Sequence, residues 1–471
     1  MRPLSNDYNE NKSTLRSRLS VDTNFDVIER RLDVAGSEIC FFYIDGFVKD
    51  GVMQRIMQFF LSRKVLGTAE QVLASVPYVE IDISSSEDEA VLAVLSGQSL
   101  LIGESFGGKC ILIDSRSYPA RPTAEPDSDR VMQGAHDGFV ETLVINTALI
   151  RRRIRDERLC MEHYGMGGAS KTDVVLCYVK GVADEKVVGR VKESLKKACP
   201  RSLTLGFQSL AESMIKRGWL NPFPKIRTTE RPDTAAAQLL EGSVIVLCDT
   251  SPQAMILPTS IFDYLQQTDD YYYPPLTGTY LRLVRAAILL LSVIVTPLWY
   301  LCVEYAETLP HYLAFVVPEN PGTLPIIFQL LLVEVAIDGL KIASMNTPDM
   351  LSNSLSVVGA LILGDFAVGV GWLCADVILY MAFVAIANFA QQNHELGYAF
   401  KFMRVMILLL VYFFGVWGFA LGALIFCILL VANTTVVGKR YLYPLVPFNA
   451  RAMLRLIFRT KKDDFYKQEN K

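Results

Sequence analysis

The distribution of apolar residues divides the chain into two parts near residue 280. Before that point apolar runs are short and alternate with charged stretches, whereas after it they reach the length of a membrane helix. The first long run, 281–303, holds roughly twenty apolar residues, enough to cross about 30 Å of hydrocarbon. Arg282 and Arg285 lie at its start and acidic residues follow its end. The positive-inside rule therefore predicts that the chain before it is cytoplasmic.

The cytoplasmic part is predicted to have an α/β fold. Short apolar runs that suit strands alternate with amphipathic stretches that suit helices, and this order occurs twice. FYIDGFVKDGVMQRIMQFF parallels CYVKGVADEKVVGRVKESL, and VLSGQSLLIGE parallels LLEGSVIVLCD. We predict two related α/β subdomains followed by an all-α polytopic membrane domain. The predicted limits are a flexible polar N-terminus at 1–23, subdomains at 24–120 and 172–275, a linker with an Arg-rich helix at 121–171, a membrane domain of about five or six helices at 280–435 and a basic cytoplasmic tail at 436–471.

Three local predictions belong to the same region. FDVIERRLDV, 25–34, has helical spacing of its apolar residues, and SLTLGF, 202–207, has the pattern of a strand. The glycine-rich GMGGAS, 165–170, is predicted to be a flexible linker between the subdomains, because it does not join a strand to a helix in a phosphate-binding pattern.

An arginine-rich helix is predicted between the subdomains at 138–159. Apolar residues recur along it at helical spacing, and four arginines crowd its C-terminal part, where cations complement the helix dipole. Two interpretations stay open: a solvated face, or a contact with another subunit or with phospholipid. The four residues are Arg151, Arg152, Arg153 and Arg155.

The second apolar run, 326–343, carries Glu334, Asp338 and Lys341 on one helix face. About twelve apolar residues at roughly 0.3–0.6 kcal/mol each favour insertion. Three charges at roughly 2.5–3.5 kcal/mol each oppose it. The charged face therefore cannot contact lipid. It lines a water-filled ion pathway, forms a buried pair between Asp338 and Lys341, or lies at the membrane interface.

The next run, 354–372, places four small residues on one face that suits close helix packing. Asp365 lies in the middle of the run and is the third candidate for an ion pathway, because a buried acid needs water or a partner. The small residues are Ala360, Gly364, Ala367 and Gly371.

The last apolar run, 402–433, is too long for one ordinary span and is predicted to form a tight hairpin at its glycines. Lys401, just before this run, and Arg404, at its start, are interpreted as the end of a cytoplasmic loop. The basic tail that follows suits an anionic membrane surface.

The composition and the absence of known motifs argue against several classes of function. Of 471 residues 51% are hydrophobic, and the net charge of −3 is too small to favour nucleic acid. The nine cysteines are scattered singly and the four histidines lie far apart, so we predict reduced thiols and no metal site. Phosphate-binding, zinc-protease and nucleophile motifs are absent from the sequence. We therefore predict no enzymatic activity and no cofactor.

Long motifs resemble the bacterial spore germination receptor A-subunit (GerA) family. They include EPDSDRVMQGAHDGFVETLVINTALIRRRIRDERL, KIRTTERPDTAAAQLLEGSVIVLCDTSPQAMILP and DDYYYPP, and the similarity runs from about residue 38 to about residue 449. The membrane stretch KIASMNTPDMLSNSLSVVGALILGDFAVGVGW and the later YLYPLVPFN resemble one branch most closely. One departure is Gln392, Asn393 and His394, where many relatives carry Pro-Ser-Tyr.

The count of about six segments, together with the positive-inside rule, predicts that both termini are on the cytoplasmic side. The resemblance implies a multi-pass protein of the spore inner membrane. It implies a homo-oligomer that conducts monovalent cations, promotes germination and works with another spore membrane protein, without nucleic acid. An alternative is a non-conducting scaffold that gathers germination proteins. A secondary transporter is disfavoured, because the repeat that the sequence shows lies in the soluble part and not in the membrane part.

Overall fold

The computed structural model describes residues 2–116, 134–198, 203–215, 221–267, 269–346, 367–391 and 393–458. The chain forms two compact units. Unit 1 comprises Met1–Arg217, Ile226–Thr259 and Thr435–Lys439, and unit 2 comprises Gly218–Lys225, Ser260–Thr434 and Arg440–Lys471.

Unit 1 contains two five-stranded antiparallel sheets with the same strand order, β1-β2-β4-β5-β3 and β6-β7-β9-β10-β8. This common order confirms the predicted duplication. The strands of the first sheet are β1 Val27–Val34, β2 Ser37–Ile44, β3 Ile81–Ser84, β4 Ser99–Gly103 and β5 Cys110–Ile113. Those of the second are β6 Leu159–Met166, β7 Thr172–Val179, β8 Arg227–Thr229, β9 Val244–Cys248 and β10 Ala254–Leu257.

Helices cover both faces of each sheet. In β2, Phe42 packs with the helices α1 and α4, and its neighbour Phe41 packs with α2 and α3, because successive side chains of a strand point to opposite faces. In β7, Leu176 faces α6 and α7, whereas Val175 faces α5 and α8. The helices are α1 Tyr8–Arg18, α2 Asp50–Leu61, α3 Ala69–Leu73, α4 Glu87–Leu95, α5 Leu143–Arg153, α6 Glu185–Lys197, α7 Phe207–Met214 and α8 Pro232–Leu240.

The repeat begins earlier in each half than the sequence pattern predicts. The side chain of Asn11 in α1 bonds both the N–H and the C=O of Ser5, six residues upstream. Asn146 in α5 makes the same two bonds to Val140, also six residues upstream. Residues 2–23 are therefore part of the first repeat, with Leu15 fully buried in its core, and not the predicted flexible terminus.

Four local predictions are wrong. Residues 27–34 of FDVIERRLDV form strand β1, which lies at the edge of its sheet and is buried mainly at its two ends. An edge strand of this kind can carry the same spacing of apolar residues as a helix, which is why the pattern was misleading. Residues 203–206 form a turn before α7 and not a strand. The segment 165–170 ends β6 and turns into β7, so it lies inside the second repeat. The predicted helix 138–159 ends at Arg153, and Leu159 begins β6.

Unit 2 consists of helices around one apolar core. Among its described residues, α10 and α13 are long and apolar enough to cross a membrane, whereas α12 is apolar but shorter. The helices are α9 Asp269–Tyr272, α10 Pro275–Glu304, α11 Ile326–Asn346, α12 Ala375–Phe389, α13 His394–Ala432 and α14 Ala450–Ile457.

Helix α13 is broken at Gly415, whose φ of 55° and ψ of −132° are not helical. The arms 394–414 and 416–432 fold back on each other, as close approaches at two glycines of the second arm show. A Cβ added at Gly422 would lie 3.2 Å from Cα of Ile407, and a Cβ added at Gly418 would overlap the carbonyl of Leu410. At 1.5 Å per residue the arms are about 31 and 25 Å long. The chain therefore reverses as the predicted hairpin does.

The direction of each helix follows from its contacts. Arg404 in the first arm of α13 bonds to Ser292 in α10, and Gly415 at the end of that arm lies against Tyr305, which follows α10. The first arm therefore runs parallel to α10. Helices α11 and α12 start together, where Gln329 accepts a hydrogen bond from the N–H of Cys374 over 2.8 Å.

Gly418 is expected to set the distance between the two arms of α13. Gly418→Ala should destabilise unit 2 by about 1–3 kcal/mol, because the added methyl group overlaps backbone atoms that cannot move aside. Thermal unfolding of the purified protein in detergent measures the effect. Gly339→Ala in α11 is the control, since a Cβ there meets nothing within 4 Å. Equal melting temperatures for the two variants would contradict the tight hairpin.

Candidate functional site

Charged side chains meet between α11 and α13, about halfway along α10. Arg404 on α13 is only 1% exposed, and its Nη2 donates to Oε1 of Glu334 on α11 over 2.5 Å. Its Nη1 donates to the backbone carbonyl of Ser292 on α10 over 3.0 Å. Arg404 thus joins three helices, a role that suits a rigid guanidinium with several donors.

Lys401 lies one turn before Arg404 on the same helix. Its Nζ lies 3.1 Å from Oε1 of Glu334 and forms an ion pair with Asp338. Two carboxylates four residues apart on α11 therefore face two cations three residues apart on α13. We call Glu334, Asp338, Lys401 and Arg404 the four-charge cluster.

The formal charges of the four-charge cluster cancel. Burial of an unpaired ion costs several kcal/mol, and pairing offsets that cost only where the geometry is good and the hydrogen bonds are made. Oε1 of Glu334 accepts a hydrogen bond from Arg404 and forms an ion pair with Lys401, and Arg404 uses both of its terminal nitrogens. The cluster is neutral as a group, but loss of any one member leaves a charge without its partner.

A small cavity of about 30 Å³ lies beside the cluster. Asp338 and Lys401 line it together with Lys341, His394 and Asn388, among others. A space of this size suits one or two water molecules, and its lining offers the polar partners that water needs. The side chain of Asp338 is 35% exposed whereas that of Glu334 is 9% exposed, so water reaches Asp338 more easily.

The structure confirms that Glu334 and Asp338 share a helix face, and it corrects the predicted partner. Asp338 pairs with Lys401, whereas Nζ of Lys341 lies 4.8 Å above the ring of Tyr398. The interpretation of Lys401 and Arg404 as loop residues is wrong, because both lie inside α13. Their three-residue spacing, which places them on one helix face opposite a pair of acids, is the signal that could have identified them.

The predicted small-residue face and the third acid lie largely outside the described residues. Ala360, Gly364 and Asp365 belong to that stretch, so their predicted roles stay predictions. Ala367 begins a single helical turn, Ala367–Gly369. Gly371 has a φ of +79° and is not helical, so the predicted helix 354–372 does not reach it.

Arg151 is buried inside unit 1. It is 0% exposed and binds Asp26 through two hydrogen bonds of 2.9 Å, Nε to Oδ2 and Nη2 to Oδ1. Its Nη1 also donates to the carbonyl of Leu159 over 3.3 Å. This pair joins the second repeat to the first. Its burial corrects the prediction of a subunit or lipid contact for this arginine, because the guanidinium has no exposed surface.

The other three arginines lie nearer to the surface. Arg153 is half-buried and binds Asp137 over 2.6 and 2.7 Å, so it stabilises the start of its own repeat. Arg152 and Arg155 are exposed. A contact with a subunit or with lipid through Arg152 and Arg155 stays a prediction.

The described cysteines are free thiols. Burial raises the pKa of Cys40, Cys110 and Cys248 to about 12 in each case, so these thiols are protonated at neutral pH and are poor nucleophiles. Within the described parts of the chain, no three His, Cys, Asp or Glu side chains are grouped so as to hold a metal ion. The four-charge cluster is therefore the candidate functional site.

Comparison with known proteins identifies the family. The family model described as Bacillus/Clostridium GerA spore germination protein matches residues 13–470. The chain belongs to the GerA family. Several of its relatives are named as spore germination proteins, which supports a role in germination for this chain.

Two curated GerA relatives and one solved structure illustrate the similarity. Stage V sporulation protein AF of Bacillus subtilis is 35% identical over 96% of this chain and 92% of its own length. Spore germination protein KA of the same organism is 26% identical over 95% of this chain and 84% of its own length. The N-terminal domain of the A subunit of the Bacillus megaterium spore germinant receptor GerK3 is 23% identical, with a TM-score of 0.41, over 54% of this chain and 96% of that domain.

Arg404→Met is expected to destabilise unit 2 by about 3–5 kcal/mol, because it leaves Glu334 buried beside a single cation. Adding Glu334→Gln to that variant should recover much of the loss, since the uncompensated charge disappears. Thermal unfolding in detergent compares the single and double variants. A double variant no more stable than Arg404→Met would contradict charge pairing as the cause.

Arg151→Met is expected to destabilise unit 1 by about 3–5 kcal/mol, because Asp26 is left buried without a counter-charge. Exposed Arg155→Met should change stability by less than about 0.5 kcal/mol. Hydrogen exchange of the β6 amides in the full-length protein measures the local effect. Similar exchange in both variants would show that the buried pair does not hold the repeats together.

Proposed function

We propose that this chain is a multi-pass protein of the spore inner membrane, with both termini on the cytoplasmic side. In the proposal it assembles as an oligomer whose membrane units form a cation-conducting channel and promote ion release during germination. Family membership supports the part in germination. Conduction, oligomerisation and topology are our inference from the membrane unit.

The observation that carries the proposal is the four-charge cluster, buried about halfway along α10. Ionisable groups inside a membrane protein are costly and typically mark ion or proton pathways. Glu334 and Asp338 supply the carboxylates that favour cations over anions in a pore. Asp365, outside the described residues, is the third acid of the proposed pathway.

In the proposed mechanism the cations of α13 control the acids of α11. While Lys401 and Arg404 neutralise Glu334 and Asp338, the cluster presents no net charge to a passing ion. A displacement of α11 from α13 would free the carboxylates, and water would reach Asp338 first through the cavity beside it. Conduction would then depend on how strongly the four charges hold the two helices together.

In an oligomer, the proposed ion pathway would lie along the central axis. A closed ring of identical subunits would bring several copies of α11 around one axis, as cation channels do with rings of acids. The small residues Ala360, Gly364 and Ala367 are proposed to pack neighbouring helices, and exposed Arg152 and Arg155 to contact another subunit or lipid. A second spore membrane protein is the proposed partner of the assembly.

The alternative function is a non-conducting scaffold that organises germination proteins. One observation favours it: the charges of the cluster are matched within a single copy of the chain, as in a network that only stabilises helix packing. In that case neutral variants of the cluster would keep full function as long as the protein assembles.

The test is cation flux through purified protein in liposomes. The double variant Glu334→Gln/Asp338→Asn should lower K⁺ flux by about tenfold, because the pathway loses its carboxylates. Glu185→Gln/Glu193→Gln on α6 is the control, since it removes the same formal charge from a helix of unit 1. Unchanged flux in the cluster variant, with normal assembly, would refute the acid-lined pathway.

Lys401→Gln distinguishes control of the acids from simple conduction. It should raise K⁺ flux above that of the unaltered protein, because Asp338 loses its counter-charge while both acids remain. Flux that falls together with the amount of assembled protein would instead assign Lys401 to helix packing alone.

A further inference from the structure

The short helix α14 is held against the start of α10. The carbonyl oxygen of Leu456 in α14 accepts a hydrogen bond of 3.2 Å from Nη1 of Arg282. Arg282 is fixed in turn by the fully buried Asp270, which lies 3.1 Å from its Nε and also binds Arg285. The helix is therefore placed beside the charged entry of a helix long enough to cross a membrane.

Apolar side chains around α14 are exposed in unit 2. Leu454 and Phe458 lie four residues apart and are each about half exposed, so they form one uncovered stripe. Large apolar side chains preceding α14 and at the start of α10 are exposed as well. They are Tyr443, Leu445, Phe448, Leu276, Tyr280 and Leu283.

The sequence of α14 combines this stripe with positive charge. In the sequence, Arg451 and Arg455 stand three residues before Leu454 and Phe458 respectively. Arg459, Lys461 and Lys462 follow directly in the sequence. Arginines beside an apolar stripe suit a helix in the headgroup region, where the stem of the side chain contacts acyl chains and the guanidinium contacts phosphate.

We propose that α14 lies along the membrane surface at the entry of α10 and binds anionic phospholipid headgroups. Three observations agree on this partner: the anchor to α10, the exposed aliphatic and aromatic side chains, and the basic sequence. A bilayer surface matches all three, because it offers an apolar layer and a negative layer within one helix diameter. The proposal does not depend on conduction by the four-charge cluster.

Photocrosslinking in lipid nanodiscs tests this site. Benzoylphenylalanine replaces Phe458 in the full-length protein, which is placed in bilayers of 70% phosphatidylcholine and 30% phosphatidylglycerol. Adducts identified by mass spectrometry should show a ratio of phosphatidylglycerol to phosphatidylcholine about fivefold above that of the bilayer or more, roughly two to one in place of three to seven, since each basic residue near a surface contributes about that factor. The same replacement at the exposed Val79 of unit 1 controls for background labelling.

Arg451→Gln/Arg455→Gln in the same protein separates charge from apolar contact. Adducts with lipid should persist while the excess of phosphatidylglycerol falls towards its share in the bilayer. Three results would overturn the proposal: labelling at position 458 no greater than at position 79, adducts that follow the lipid ratio before the arginines are replaced, or crosslinks to a second protein chain. Leu454 is an equivalent crosslinking position if the variant at 458 does not assemble.

Discussion

The ion pairs between α11 and α13 are the constraint on which unit 2 depends. A helix with Glu334 and Asp338 is a poor candidate for insertion by itself, because two buried carboxylates offset much of its apolar free energy. Lys401 and Arg404 remove that obstacle by supplying two counter-charges from a neighbouring helix. The sequence of α11 is thus compatible with a membrane only in the presence of α13, so the two helices must fold together.

The same principle operates in unit 1, although its setting is different. The buried pair of Arg151 and Asp26 joins two repeats that each have their own sheet and their own covering helices. Duplication supplies two similar modules, and this buried charge pair is one of several contacts between them. Removing one partner of a buried ion pair destabilises a protein by more than the intact pair contributes to its stability. Single substitutions in the four-charge cluster or in the Arg151–Asp26 pair should therefore have large effects.

Structural features that repeat, or that extend over many residues, could be predicted from the sequence. The duplication and the reversal in α13 follow from patterns that extend over many residues. The errors come from short segments. VIERRLDV satisfies a helix or an edge strand equally well, and only its pairing with β2 decides between them. Likewise the partners of Glu334 and Asp338 lie more than sixty residues away, and spacing along the chain does not identify them.

We propose that unit 2 conducts cations, and electrical recording of the unaltered protein in a planar bilayer tests that proposal most directly. With KCl at unequal concentrations on the two sides, an acid-lined pathway predicts currents that reverse near the equilibrium potential of K⁺. Absence of current from protein shown to be inserted and assembled would contradict conduction and leave the scaffold as the explanation. A reversal potential near that of Cl⁻ would contradict the role of Glu334 and Asp338.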